Sequence, residues 1–162
     1  MTSGLPKNFD PALDLVLERF IDVPPSAVWR AYTQPEDLKK WFCPRPWQTV
    51  ECAIELVPGG IFHTVMQGPE GQRHDNTGCY LVVEENRRLI WTGNLGPGFR
   101  PQDPGPMPMT AIITLEAQGS GTLYRAVVQH KDEAGRATHE SMGFTLGWGA
   151  ALDQLVALAK TW

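Results

Sequence analysis

Between Thr49 and Lys131 the chain runs through six short strand-like stretches divided by turn signals, and nothing in that span carries a helical period. The stretches are Val50–Leu56, Ile61–Gln67, Asn76–Glu84, Arg88–Asn94, Met109–Ala117 and Thr122–Lys131, and breaks fall at Pro58-Gly59-Gly60, Gly68-Pro69-Glu70-Gly71, Glu85-Asn86 and Gly119-Ser120-Gly121. Short connections make successive strands neighbours in space, so this span predicts an antiparallel meander. A seventh strand is expected over Leu13 to Ile21, with Leu13, Leu15, Leu17 and Arg19 on one face. A sheet of about seven strands with one apolar face needs a second layer to cover it.

The flanking segments supply that layer. Pro25 suits the first turn of a helix running through Val28, Trp29 and Tyr32, because proline lacks an amide proton that the first turn leaves unpaired anyway. A second short helix opens at Pro35-Glu36-Asp37, where acidic side chains complement the helix dipole, and reaches about Phe42. From His139 to the end, Phe144, Trp148, Ala151, Leu155, Leu158 and Trp162 recur at spacings of 4, 3, 4, 3 and 4, which predicts a long amphipathic helix. Gly143, Gly147 and Gly149 sit in its first half, each costing up to ~1 kcal/mol against alanine. A close approach of another group, space left for a bound molecule, or a later helix start would explain them.

The result is an α+β chain of order β-α-α-β6-α, a curved antiparallel sheet wrapped around its last helix. The 162 residues fit one domain, expected over 13–162, behind an N-terminal arm at 1–12 that holds Gly4, Pro6 and Pro11 with little apolar patterning. Lys+Arg number 14 against 18 Asp+Glu, so no basic field exists to attract nucleic acid. No apolar run approaches the ~20 residues of a membrane span, and the start of the chain lacks the features of a signal peptide, which makes the cytoplasm the expected compartment. Three cysteines without a C-x-x-C pair argue against disulfides or a thiolate zinc site, and the four histidines have no i, i+4 pair for a metal. No nucleotide or other cofactor fingerprint is present.

Several stretches match a known pattern: Ile21-Asp22-Val23-Pro24-Pro25-Ser26-Ala27-Val28-Trp29, Leu38-Lys39-Lys40-Trp41-Phe42, Glu55-Leu56-Val57-Pro58-Gly59-Gly60, Arg88-Leu89-Ile90-Trp91, and Gly147-Trp148 through Leu152-Asp153-Gln154-Leu155. Through them the chain resembles the START-like, or Bet v 1-like, helix-grip superfamily. Within it, the chain is similar to proteins related to the C-terminal domain of the activator of Hsp90 ATPase. The resemblance implies a cavity between the concave face of the sheet and the last helix, used across the superfamily to hold apolar small molecules and, in some branches, to cyclise or dehydrate polyketides. Two departures stand out. Val57 occupies a position where the family commonly has arginine, and the loop Leu95 to Pro108 exceeds the usual family loop.

The candidate site follows from alternation and helical period together. Phe62, Thr64 and Met66 should face inward, opposite Phe144, Trp148 and Leu152 of the last helix, with Trp29, Trp41 and Trp91 as further walls. An apolar small molecule is the expected ligand. A cyclase or dehydratase would instead use His130 or Arg125 on an enolisable substrate. Arg125 could equally pair with Glu51 or Glu116 across the sheet. A chaperone-interacting module is the third reading, on resemblance alone, and a chaperone partner is not expected. Ile61 and Val65 could serve a homodimer, and the loop 95–108 could cover the cavity.

Overall fold

A computed structural model describes residues 4–162. Strand β1, Asp14–Ile21, leads into helices α1, Pro25–Thr33, and α2, Pro35–Leu38. The meander follows as β2 (Gln48–Ile54), β3 (Ile61–Gln67), β4 (Arg73–Glu84), β5 (Arg88–Thr92), a two-residue ladder of β6 (Leu95–Gly96) with β7 (Arg100–Pro101), β8 (Thr110–Gln118) and β9 (Gly121–Gln129). Helices α3, Glu133–Ser141, and α4, Phe144–Ala159, close the chain. Seven strands form one antiparallel sheet in the order β1-β9-β8-β5-β4-β3-β2, so the N-terminal strand returns to pair with β9 along its whole length. This is the curved sheet and C-terminal helix that the pattern of strands demanded.

The inner face of the sheet carries Leu15, Leu17, Phe62, Tyr80, Leu89, Trp91, Ile113, Tyr124 and Ala126, and α4 covers part of it with Leu152, Leu155 and Ala159. Burying this many large apolar side chains, at ~1.5–3 kcal/mol each, is what offsets the ordering of the chain. Two polar ties fix where α4 lies. On one flank Arg19 of β1 donates to the Gly149 carbonyl at 3.4 Å and meets Asp153 at 2.5 Å. On the other, Gln154 Nε2 donates to the carbonyls of Trp41 (3.0 Å) and Cys43 (2.9 Å), while its Oε1 accepts from the Arg45 amide at 3.1 Å.

The final helical stretch is broken where a single helix was expected. Gly143 stands at the N-cap of α4 with φ 90°, a left-handed conformation that glycine adopts without steric cost, so the chain turns there between α3 and α4. Helix α3 itself was not foreseen: EAGRATHES has no apolar stripe, and its start is set by Asp132, whose side chain accepts from the Gly135 amide at 2.8 Å. Strand β4 also begins three residues early, at Arg73, because pairing with β3 continues to Gln67↔Arg73 and Arg73 reaches Glu51 at 2.6 Å.

Of the two residues named for a possible homodimer, Val65 is 2% exposed within the single chain and Ile61 is half-buried. Of the N-terminal arm, residues 1–3 lie outside the described residues. The part from Gly4 onward turns back over β9, where Gly4 passes so near the Arg125 guanidinium that a side chain there would collide with it. No helix among the described residues is long and apolar enough to cross a membrane.

Candidate functional site

The first half of α4 and the inner face of the sheet both border a hollow. Between them lies a cavity of about 600 Å³. Its walls include Trp41, Phe62, Thr64, Met66, Trp91, Phe144, Trp148 and Leu152, eight of the nine residues named for the site from the sequence. The rings meet edge to face: Phe62 and Trp91 have centroids 5.2 Å apart, Phe42 and Phe62 5.9 Å, and Trp41 and Phe42 5.3 Å. Trp29 is the exception. It is buried in the core but outside the lining, whereas Tyr32, on the same helix, reaches the cavity. Residues three apart on a helix point about 60° apart, which suffices to separate a packed ring from an exposed wall.

The three helical glycines divide the explanations among them. Gly143 marks the later start, Gly149 is approached by Arg19 Nη1, and Gly147 lines the cavity with no side chain to fill it. Gly78 on β4 is a fourth small residue in the wall. A Cβ there would run into the Thr92 carbonyl oxygen, so the crossing of β4 and β5 requires glycine.

The two residues named for catalysis lie elsewhere. Arg125 stands next to Tyr124 on β9, and alternation sends the two to opposite faces: Tyr124 enters the cavity, Arg125 does not. Its register partner on β1 is Glu18, whose carboxylate it holds at 2.5 Å, in place of the Glu51 or Glu116 expected. Glu51 is on β2 at the far edge of the sheet. His130 follows β9 and is buried behind the cavity wall, with Nδ1 2.8 Å from the Leu13 carbonyl oxygen and Nε2 2.9 Å from His139 Nδ1.

Sequence reasoning passed over the polar groups that do reach the cavity. Tyr32 and Tyr124 share a buried hydrogen bond of 2.7 Å, and burial pushes both phenols up, so both stay protonated. One of the two hydroxyl protons makes this bond and the other is left to donate elsewhere. Among the described residues His139 is 8% exposed and packs edge-on against Phe144 at 5.2 Å and Trp148 at 6.4 Å. Tyr32 and Tyr124 are 92 positions apart, and no local pattern links them. The lining also holds Asp75 and Asp103 but neither lysine nor arginine. Cys43 is on the wall too, and burial pushes its thiol up, only partly countered by contact with Thr49, so the thiolate nucleophile is disfavoured. Among the described residues no group of three or more His, Cys, Asp or Glu is placed to hold a metal ion.

The long loop from Leu95 to Pro108 serves two faces. Residues 95–101 pack outside the sheet, where the Gly98 amide donates to the Gly59 carbonyl at 2.8 Å, while Asp103 to Met107 border the cavity. Gln102 joins the halves, its Nε2 donating to the carbonyls of Thr77 (2.6 Å) and Gly93 (3.0 Å).

His139 provides a pH test of this arrangement. Burial first, and the neighbouring His130 second, lower its pKa from 6.5 to about 4. Between those values the unfolded chain binds more protons than the folded one, so stability falls as pH falls. Urea unfolding between pH 7 and pH 4.5 is expected to show a loss approaching ~2–3 kcal/mol from this group. The His139→Gln variant should lose correspondingly less over the same interval. Parallel profiles for the two proteins would contradict the assignment.

The comparisons with known proteins agree with this architecture. Residues 22–160 match the family model described as Activator of Hsp90 ATPase homolog 1-like protein. A crystal structure of a protein from Nitrosomonas europaea shares 48% identity, with 94% of this chain and 97% of that chain covered and a TM-score of 0.91. A Rhodobacter sphaeroides protein at 24% identity, covering 94% and 96% with TM-score 0.81, shares the fold. So does an AHSA1-like protein from Aeromonas hydrophila at 20% identity, covering 92% and 93% with TM-score 0.67. No curated protein sequence matches significantly.

Proposed function

Because the chain belongs to the family of Activator of Hsp90 ATPase homolog 1-like proteins, built on the helix-grip fold, we propose that it is a binding protein for an apolar small molecule held between sheet and last helix. The observation that carries this reading is the cavity of about 600 Å³ walled by Trp41, Trp91 and Trp148. That volume is within the range of ligand pockets, and aromatic walls interspersed with polar groups that can orient a guest are what such pockets present.

Naphthalene is a suitable probe, being apolar, neutral and small enough for the space. Titrated into the protein, it is expected to change the tryptophan fluorescence saturably and to raise the melting temperature with concentration, as any ligand of the native state must. Absence of saturation up to the solubility limit, with no thermal shift, would reject the reading.

The catalytic alternative, a polyketide cyclase or dehydratase, has less support, since neither Arg125 nor His130 lines the cavity. The chaperone reading rests on the family description alone.

A further inference from the structure

The two buried histidines form a chain whose proton positions follow from one fixed end. The Leu13 carbonyl can only accept, so His130 Nδ1, 2.8 Å away, carries the proton. In the neutral ring Nε2 is then a bare lone pair. His139 Nδ1, 2.9 Å from that lone pair, must therefore be the donor. This leaves His139 Nε2 without a proton. The ring lines the cavity, and Nε2 makes no hydrogen bond to any described residue. A nitrogen acceptor held in an aromatic wall, its tautomer set by a partner two bonds deeper in the protein, is a preorganised recognition group.

We propose that His139 Nε2 receives a hydroxyl or N–H proton from the bound molecule, so that the ligand is an apolar ring compound bearing one neutral hydrogen-bond donor, such as a phenol or enol. This rests on the cavity being a binding site, as argued above. Charge in the lining points the same way. With Asp75 and Asp103 present and no lysine or arginine, the cavity opposes carboxylates. A pure hydrocarbon would leave Nε2 desolvated and unpaired, at a cost that a donor removes.

Four probes of one shape separate these claims: naphthalene, 2-naphthol, 2-methoxynaphthalene and 2-naphthoate. By fluorescence titration at neutral pH, 2-naphthol is expected to bind about fivefold more tightly than 2-methoxynaphthalene, the range of one net hydrogen bond. The naphthoate should bind most weakly. In His139→Leu the preference for naphthol over its methyl ether should shrink to within about twofold while naphthalene still binds. The ring 15N signals of His139 in the unmodified protein should report the Nδ1–H tautomer, and 2-naphthol should shift Nε2, a readout that stands even where the variant fails to fold. Equal affinity for naphthol and its ether, a preference that survives in His139→Leu, or an Nε2 signal unmoved by naphthol overturns the donor assignment alone. Failure of all three neutral probes to bind overturns the cavity reading, and the proposal with it.

Discussion

Replacing Trp91 by alanine is expected to lower the free energy of unfolding by about 3–5 kcal/mol, a large part of the 5–15 kcal/mol that a domain of this kind possesses. Trp91 stands next to the end of β5 with Tyr32, Phe42 and Phe62 rings at 5.9, 6.4 and 5.2 Å. Truncation removes its transfer energy and enlarges a hollow that the surrounding structure fills only in part. The melting temperature should fall by roughly 10 °C, and Trp91→Phe should restore about half of the loss. The check is urea unfolding of all three proteins at neutral pH. A loss below about 1 kcal/mol for alanine would mean that the aromatic cluster is not the centre of the core.

Gly147→Leu should do the reverse: weaken binding and strengthen the fold. A Cβ at this position meets nothing closer than Pro44 Cγ at 3.7 Å, so backbone and neighbours accept it. Leucine inside α4 gains up to ~1 kcal/mol of helix propensity over glycine, and its side chain enters the space between Pro44 and Trp148. Naphthalene affinity is expected to drop tenfold or more, with a melting temperature a few degrees higher. Unchanged affinity would place the probe outside the cavity. A lower melting temperature would show that the space is narrower than the geometry indicates.

How far the sequence could reveal this depends on the range of each interaction. Phe62, Thr64 and Met66 were legible because strand alternation is local, and Phe144, Trp148 and Leu152 because helical period is local. Helix α3 was not, since its residues are polar and its stability comes from a cap and from packing that brings His139 against Phe144. The Tyr32–Tyr124 and His130–His139 pairs are made by tertiary structure, and no local pattern in the sequence joins their members. Arg125 failed for a register reason: its neighbour across the sheet is decided by which strand closes the edge, and β1 does so from the far end of the chain.

The side chain of Gln154 bonds at three points to the segment from Trp41 to Arg45, which couples α4 to that segment as one stiff jaw. On the long loop Gln102 makes a comparable tie, donating to the carbonyls of Thr77 and Gly93 between the outer half of the loop and the stretch from Asp103 to Met107. Two of the segments that border the hollow, Trp41 to Pro44 and Asp103 to Met107, are thus each anchored through one neighbouring glutamine amide.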